Sequence, residues 1–309
     1  MAVIETRGLG KSFKKTPALL NLTLAVEPGE IFGLIGPDGA GKTTFLRILA
    51  GVLAPTRGEV RVCGIDVGRN PDAVKEKIGV VPQNFSLYPD LTVEENLNFF
   101  RRMYLIPEPD FIRRRERLLQ ITRLGPFLDR RAAQLSGGMQ KKLALIACLL
   151  HTPELLILDE PTTGVDPVSR RELWDFLYEL FGQGVTIMVS TPYMDEAERC
   201  ARVGFLYRGE LLSVETPEAI KENYPYWVFE LITRGPALIP ELEFPDELKV
   251  VNRYPVAGAW HLVLERDKAT DIKGYLDRRG IACDLKPVEP SFEDAFIALI
   301  RQKAAGKND

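Results

Sequence analysis

Eight residues, Gly36-Pro37-Asp38-Gly39-Ala40-Gly41-Lys42-Thr43, constrain the fold of this 309-residue chain more than any others, because they fit the pattern G-x-x-x-x-G-K-[ST]. Before them, Glu30 to Ile35 is a short, mostly apolar run that reads as a buried strand. After them, Phe45 to Ala50 continues as an apolar helix. The glycines let the backbone between turn tightly and aim its N–H groups at phosphate oxygens, where the positive end of the helix dipole adds to them. Strand, loop and helix in that order argue against a chance match. Gly36, Pro37, Asp38, Gly39, Ala40, Gly41 and the following Thr44 are candidate contacts to ATP. Lys42 is placed to reach the β- and γ-phosphates, and the Thr43 hydroxyl to hold Mg²⁺.

Leu155-Leu156-Ile157-Leu158-Asp159-Glu160 reads as a central parallel strand with paired acids at its C-terminal end, where α/β sheets collect their ligands. Asp159 is a candidate Mg²⁺ ligand, in the inner or outer shell. Glu160 is a candidate for facing the γ-phosphate and polarising the attacking water. An Asp-Glu pair alone also suits a solvated strand end; the P-loop upstream and Pro161-Thr162-Thr163-Gly164-Val165-Asp166 downstream favour the catalytic role. Between the two runs, Leu135-Ser136-Gly137-Gly138-Met139-Gln140 supplies a second phosphate-binding helix start. One nucleotide needs one such cradle. Two of them on separate helices suggest a nucleotide sandwiched between the P-loop of one chain and the Ser-Gly-Gly of another.

These motifs, in this order, resemble those of the ABC ATPases, and the likeness runs over residues 1 to about 222. It implies an α/β fold: a P-loop ABC-type nucleotide-binding domain with a RecA-like core, an antiparallel β subdomain and a helical subdomain. Residue by residue, it implies that Phe13 stacks on adenine, although a buried strand residue is the plain alternative. Gln83, in Val80-Val81-Pro82-Gln83, matches the glutamine that touches Mg²⁺ and the water and couples to the membrane partner. Ser136, Gly137 and Gly138 match the family signature, and Met139-Gln140-Lys141-Lys142 opens its helix. Asp166 matches the loop aspartate that lies across the dimer interface. The implied partners are membrane permease subunits and a second ABC ATPase subunit.

One position departs from the family. After Val185-Thr186-Ile187-Met188-Val189-Ser190 the family has Ser-Thr-His, whose histidine contacts the γ-phosphate, but here the row reads Ser190-Thr191-Pro192-Tyr193. Proline offers neither an N–H nor a side-chain donor. The chain has two histidines, His151 after the signature helix and His261 in the C-terminal region, and neither is well placed to substitute. Tyr193 is a substitute donor only if its loop shifts. If Pro192 slows this chain's own site, a partner carrying the histidine still forms a normal site against Ser136-Gly137-Gly138, which predicts an asymmetric pair. If Pro192 is tolerated, a homodimer suffices.

A net charge of −3 argues against a general nucleic-acid binder. No apolar run approaches the roughly 18 residues needed to cross a bilayer, and the N-terminus has no charged-then-apolar leader. The expectation is a cytoplasmic chain, peripheral on the inner face of the membrane, whose membrane contact comes only through the permease. Cys63, Cys148, Cys200 and Cys283 form no C-x-x-C and read as buried, reduced thiols.

Residues 1 to 30 read as antiparallel strands with Glu27-Pro28-Gly29-Glu30 as their turn, and 56 to 82 as short strands and turns around Gly58, Gly64 and Gly68. A helical subdomain follows over about 86–151, opening at Leu91-Thr92-Val93-Glu94-Glu95 with Thr92 as cap. Its Arg101, Arg102, Arg113, Arg114, Arg115, Arg117 and Arg123 suggest a nucleic-acid patch, but the interleaved Glu108, Asp110 and Glu116 and the acidic whole favour a solvated helical face; attraction to an anionic membrane is a further alternative.

Composition shifts after Lys221-Glu222-Asn223-Tyr224-Pro225, so that 1–222 and 223–309 read as two domains. Val228 to Ile232, Trp260 to Leu264 and Ala282 to Leu285 read as strands. Thr270 to Arg279 reads as a helix stopped at Gly280, and Ser291 to Ile300 as a helix capped by Ser291 with Asp294 as the box acid. This small α+β unit resembles, through Pro290-Ser291-Phe292-Glu293-Asp294-Ala295-Phe296, the C-terminal extension of bacterial drug- and polysaccharide-type exporter ATPases. The resemblance implies the ATP-hydrolysing subunit of an exporter, and the unit itself, whose sequence offers no catalytic constellation, reads as a dimer-supporting or regulatory module. Two other classes remain open: a nucleotide sensor that scarcely hydrolyses ATP, and a soluble ABC ATPase that remodels a ribosome or DNA.

Overall fold

The computed structural model describes residues 1–84, 86–233, 243–256, 258–265 and 267–305. They fall into two compact units, Met1–Pro217 and Glu218–Asp309. The division comes at the first residue of the helix Pro217–Glu222, whereas the composition shift points to its end.

Along the chain the first unit runs β1 (Ile4–Phe13), β2 (Thr16–Val26), β3 (Ile31–Ile35), α1 (Lys42–Leu49), β4 (Arg57–Val62), β5 (Ile65–Asp66), α2 (Pro71–Lys75) and β6 (Ile78–Val81). Then come α3 (Val93–Met103), α4 (Glu108–Thr122), α5 (Gly137–Leu149), β7 (Leu155–Asp159), α6 (Pro167–Gly182), β8 (Thr186–Thr191), α7 (Met194–Ala197), β9 (Arg202–Tyr207) and β10 (Glu210–Glu215). A four-stranded antiparallel sheet has the order β2-β1-β4-β5, and a six-stranded sheet the order β10-β9-β3-β8-β7-β6. In the second sheet β9, β3, β8, β7 and β6 are parallel, and β10 alone is antiparallel.

Every residue of β3, β7 and β8 is buried, as the apolar runs predict for strands covered on both faces. Phe45 and Ile48 of α1 pack with Phe32, Leu34, Leu155, Ile157 and Met188 in one core. That packing seats the start of α1 over the C-terminal ends of β3, β8 and β7. The register pairs Ile35 with Thr191 and Asp159 with Ser190, so the P-loop, the acid pair and the end of β8 meet at one edge.

Two local expectations need correction. The antiparallel pair β1–β2 turns at Lys14-Lys15, with Lys14 at φ 54°, while the Pro28-Gly29 turn carries the chain from one sheet to the other. Within 56–82 the short helix α2 replaces one of the expected turns, because Asn70-Pro71 puts proline at the first helical position, where its missing N–H costs nothing.

Thr92 caps α3 through a full capping box: its hydroxyl accepts from Glu95 N at 3.1 Å, and Glu95 accepts from Thr92 N at 2.8 Å. The arginines of this subdomain are mostly neutralised locally. Arg101 pairs with Glu108, Arg115 with Glu94, Arg113 with Asp110 and Arg123 with Glu172, and Arg114 donates to the Leu150 carbonyl. The pairing fits a solvated face. All four cysteines are free; Cys148, Cys200 and Cys283 are buried as expected, but Cys63 is only half-buried, and burial pushes the Cys148 thiol up to about 12.

The second unit contains α8 (Pro217–Glu222), most of which falls in it, then β11 (Trp227–Thr233), β12 (Val250–Val256), β13 (Ala259–Leu264), α9 (Ala269–Arg278), β14 (Cys283–Val288) and α10 (Phe292–Ala305). Its antiparallel sheet has the order β12-β13-β11-β14. Ile272 and Leu276 of α9 pack on Phe229, Leu231, Leu262 and Leu264. Ser291 and Asp294 form the expected cap, with Asp294 N donating to Ser291 Oγ at 3.1 Å and Ser291 N donating back to Asp294 at 2.9 Å. β12 carries Pro255 and sits at the sheet edge, the position that tolerates a residue without a donor.

Candidate active site

The P-loop leaves β3 at Ile35 and enters α1 at Lys42. Gly36 is required by close approach: a Cβ there would lie 2.2 Å from the Leu206 carbonyl oxygen. Gly41 holds φ 111° as the N-cap of α1 and gives that helix start no side-chain cap. An uncapped helix N-terminus suits phosphate oxygens.

Lys42 is 4% exposed. Its Nζ donates to the carbonyls of Gly36 at 2.7 Å and Pro37 at 3.2 Å, and lies 3.1 Å from Glu160 Oε1. Glu160 follows β7 in the left-handed region at φ 46°. Its Oε2 accepts from Gln83 Nε2 at 2.9 Å and from the Thr163 hydroxyl at 3.3 Å. Asp159, also buried, accepts at Oδ1 from the Ser190 hydroxyl at 2.7 Å. A cavity of about 330 Å³ is lined by Asp38, Gly39, Ala40, Gly41, Lys42, Thr43, Thr44, Gln83 and Glu160, with Ala18 at its wall. Thr43 and Gln83 also line a neighbouring cavity of about 460 Å³ that reaches Asp159.

A hydroxyl, an amide and a carboxylate are hard oxygen donors, too few to cage a cation alone. That fits Mg²⁺, which is commonly bound through one or two carboxylates, here Asp159, and completes its shell with water and phosphate. Among the described residues no cluster of three or more His, Cys, Asp or Glu offers a competing metal cage.

The signature residues gather elsewhere. Ser136 caps α5, accepting from Met139 N at 3.4 Å, and Gln140 Nε2 donates to the Ala132 carbonyl at 3.0 Å. Gly138 packs so closely on the start of α6 that a Cβ would meet Ser169 Cβ at 2.6 Å. Asp166 caps α6, accepting from Val168 N at 3.1 Å and Ser169 N at 3.0 Å; the bonds from Ser169, side chain first, hold its carboxyl below the usual range. Ser136, Gly137, Gly138, Gln140 and Asp166 are therefore one neighbourhood, and none of them lines the P-loop cavity.

Phe13 is 49% exposed at the end of β1, with Lys11 Nζ 5.2 Å from its ring centre. Exposure removes the buried-strand alternative and leaves an available aromatic face. Beyond Thr191, Tyr193 N donates to the Thr191 hydroxyl at 3.0 Å, and the Tyr193 ring lies 4.7 Å from the Arg170 guanidinium. Both histidines have other partners. His151 stacks on Tyr104 with centroids 4.0 Å apart and bonds the Ile78 carbonyl at 3.0 Å, and His261 bonds Tyr254 at 3.2 Å.

Lys141 was not singled out by the motif. Its ammonium donates to the backbone carbonyls of Gln83 and, at 3.3 Å, Pro82, so the signature helix is tied to the glutamine loop. Burial pulls its pKa down, and the charges of Asp159 and Glu160 oppose that shift. No local pattern marks it, since lysine in a helix normally faces water.

Residues 19–163 match the family model described as ABC transporter. The probable multidrug ABC transporter ATP-binding protein YbhF of Escherichia coli K12 is 40% identical over 302 residues, covering 97% of this chain and 52% of that protein. The chain thus spans about half the length of that relative. Nod factor export ATP-binding protein I of Cupriavidus metallidurans is 40% identical over 306 residues, covering 96% of this chain and 97% of the relative. Among solved structures, an ATP-binding subunit of an ABC transporter superposes with a TM-score of 0.66 at 30% identity over 72% of this chain and 93% of that one. A dimeric ATP-binding cassette in a post-hydrolysis state, bound to ADP and Pi, gives 0.64 at 28% identity over 69% and 98%. The family model over 19–163 and a relative 40% identical over nearly the whole of both chains place it: the chain belongs to the ATP-binding proteins of ABC transporters.

Proposed function

We propose that this chain binds and hydrolyses ATP with Mg²⁺ and powers a separate membrane permease as the motor subunit of an exporter. The observation that carries the reading is the convergence of Lys42, Gln83 and Glu160 on the P-loop cavity, with Asp159 beside them. Thr43, Asp159 and Gln83 would hold the metal, which would offset charge on the phosphate oxygens. Lys42 leaves its loop carbonyls for phosphate. Glu160 orients and polarises the attacking water, and Phe13 stacks on adenine. Ser136, Gly137 and Gly138, with Asp166 nearby, face the nucleotide of a second ATPase subunit. That need for a partner accounts for their separation from the chain's own P-loop cavity.

Export is supported by the likeness to the Nod factor export ATP-binding protein, and a drug-like cargo by the likeness to the probable multidrug transporter ATP-binding protein. As a motor subunit of a membrane transporter it sits peripherally on the cytoplasmic face, reached through the permease; among the described residues no helix is long and apolar enough to cross a membrane. Residues 223–309 serve as a dimer-supporting or regulatory module. The purified chain is expected to release phosphate from ATP in a Mg²⁺-dependent way, with a steep dependence on protein concentration if a dimer is the active form. Binding of ATP without phosphate release, at any concentration and with the permease present, would instead favour the nucleotide sensor.

Pro192 favours a second arrangement at the same site, in which this chain's own P-loop turns over slowly and a histidine-bearing partner supplies the faster site. Both histidines are held by other contacts, so neither replaces the missing imidazole. Pro192→His is then expected to raise the single-turnover rate by about 10²-fold, the lower end of the range for one transition-state donor. Equal rates for the two proteins would show that proline is tolerated and a homodimer suffices.

A further inference from the structure

Asp159 and Ser190 stand side by side because β7 and β8 are parallel neighbours in the register that pairs them. Ser190 is fully buried. Its hydroxyl has a single hydrogen, donated to Asp159 Oδ1 at 2.7 Å. The same oxygen accepts from the backbone N–H of Glu160 at 3.1 Å, and the Ser190 carbonyl accepts from that N–H at 3.1 Å as well. One residue therefore grips two consecutive acids, one by its carboxylate and one by its main chain.

Each grip has a purpose. Glu160 sits at φ 46°, a region that residues with a Cβ adopt only where surrounding bonds hold them. Asp159 has a carboxylate that would otherwise rotate freely about its last torsion. With Oδ1 engaged by Ser190, Oδ2 is left for a metal ion or its water, and Asp159 lines a cavity together with Thr43 and Gln83. A hydroxyl suits the task, since it donates to an anion and accepts from an amide at once.

We propose that Ser190 is a positioning residue for the ATPase reaction: its hydroxyl sets the Asp159 carboxylate for Mg²⁺ and steadies the Glu160 main chain. The inference rests on the ATPase reading above. β8 thereby contributes through Ser190 what it does not contribute at Pro192, a polar group aimed at the reacting centre.

Replacing the hydroxyl leaves the backbone bond from Glu160 N to the carbonyl of residue 190 in place, so the lesion is local. The decisive comparison is Ser190→Thr against Ser190→Val, which share the added bulk and differ in the hydroxyl; Ser190→Ala removes the hydroxyl without bulk. The first readout is binding of Mn²⁺ to the full chain with ADP, followed by electron paramagnetic resonance. Ser190→Ala and Ser190→Val are expected to weaken it by about 10- to 100-fold, the usual effect of losing a group that orients a metal ligand. Ser190→Thr is expected to stay close to wild type, and metal-free ADP affinity to be unchanged in all three, since no nucleotide contact is removed. The Mg²⁺ concentration for half-maximal ATP hydrolysis should rise in the same order. Unchanged Mn²⁺ affinity in Ser190→Ala, or equal losses in Ser190→Thr and Ser190→Val, would overturn the assignment. A wild-type chain that takes up no Mn²⁺ with ADP would overturn the ATPase reading and this inference together.

Discussion

Glu160→Gln is expected to bind ATP at least as tightly as wild type and to hydrolyse it about 10²- to 10⁴-fold more slowly, the range for losing a positioned general base. The size follows from what the glutamine keeps and what it loses. Its side-chain oxygen still accepts from Gln83 or Thr163, which now approach Glu160 at 2.9 and 3.3 Å, so the shape of the cavity survives. The negative charge and the capacity to take a proton from water do not survive. Lys42 also loses its carboxylate partner at 3.1 Å, which makes its ammonium easier to transfer to phosphate. Binding without turnover predicts that a nucleotide-closed dimer accumulates, visible as an ATP-dependent shift in size-exclusion elution. Retention of more than about a tenth of the wild-type rate would move the base elsewhere and leave Glu160 a structural partner of Lys42.

Legibility in the sequence followed how local the determinant was. β3 and β7 are plain in the row because a strand covered on both faces must be apolar throughout. The caps at Thr92 and Ser291 are plain because each joins residues three apart. The turn at Lys14-Lys15 is hidden, since lysine carries no turn signature and the left-handed Lys14 is imposed by the register of β1 on β2. β12 is hidden because Asn252, Arg253 and Pro255 break the alternation, which an edge strand tolerates and a central one does not.

The site divides the same way. Lys42, Thr43, Asp159 and Glu160 are announced by motif. Ser190 lies 31 residues from Asp159 and acts only through the β7–β8 register, and Lys141 reaches Gln83 across 58 residues. The exposure of Phe13 depends on what packs over the end of β1, which the row does not show, and it removes only the buried-strand alternative.

Lys42→Met is expected to weaken ATP binding on the order of 10²-fold, since charged hydrogen bonds to phosphate are each worth about 1.5–3 kcal/mol. A titration with a fluorescent ATP analogue checks it. The same substitution is expected to destabilise the nucleotide-free chain, for a separate reason. Lys42 and Glu160 have side chains only 4% and 8% exposed, so removing the ammonium leaves a buried carboxylate with two neutral donors, Gln83 and Thr163. Breaking a buried pair from one side costs about 3–5 kcal/mol, most of it the penalty of the charge left behind. Removing that charge as well should therefore restore stability. The double variant Lys42→Met, Glu160→Gln is expected to unfold in urea well above Lys42→Met and near wild type, with Trp174, 1% exposed in the first unit, as the reporter. Its ATP affinity should stay low, because phosphate still meets a methionine. If the double variant is no more stable than Lys42→Met, the lost stability belongs to the Gly36 and Pro37 carbonyls that Lys42 holds at 2.7 and 3.2 Å, and the ammonium serves first as the clasp of its own loop.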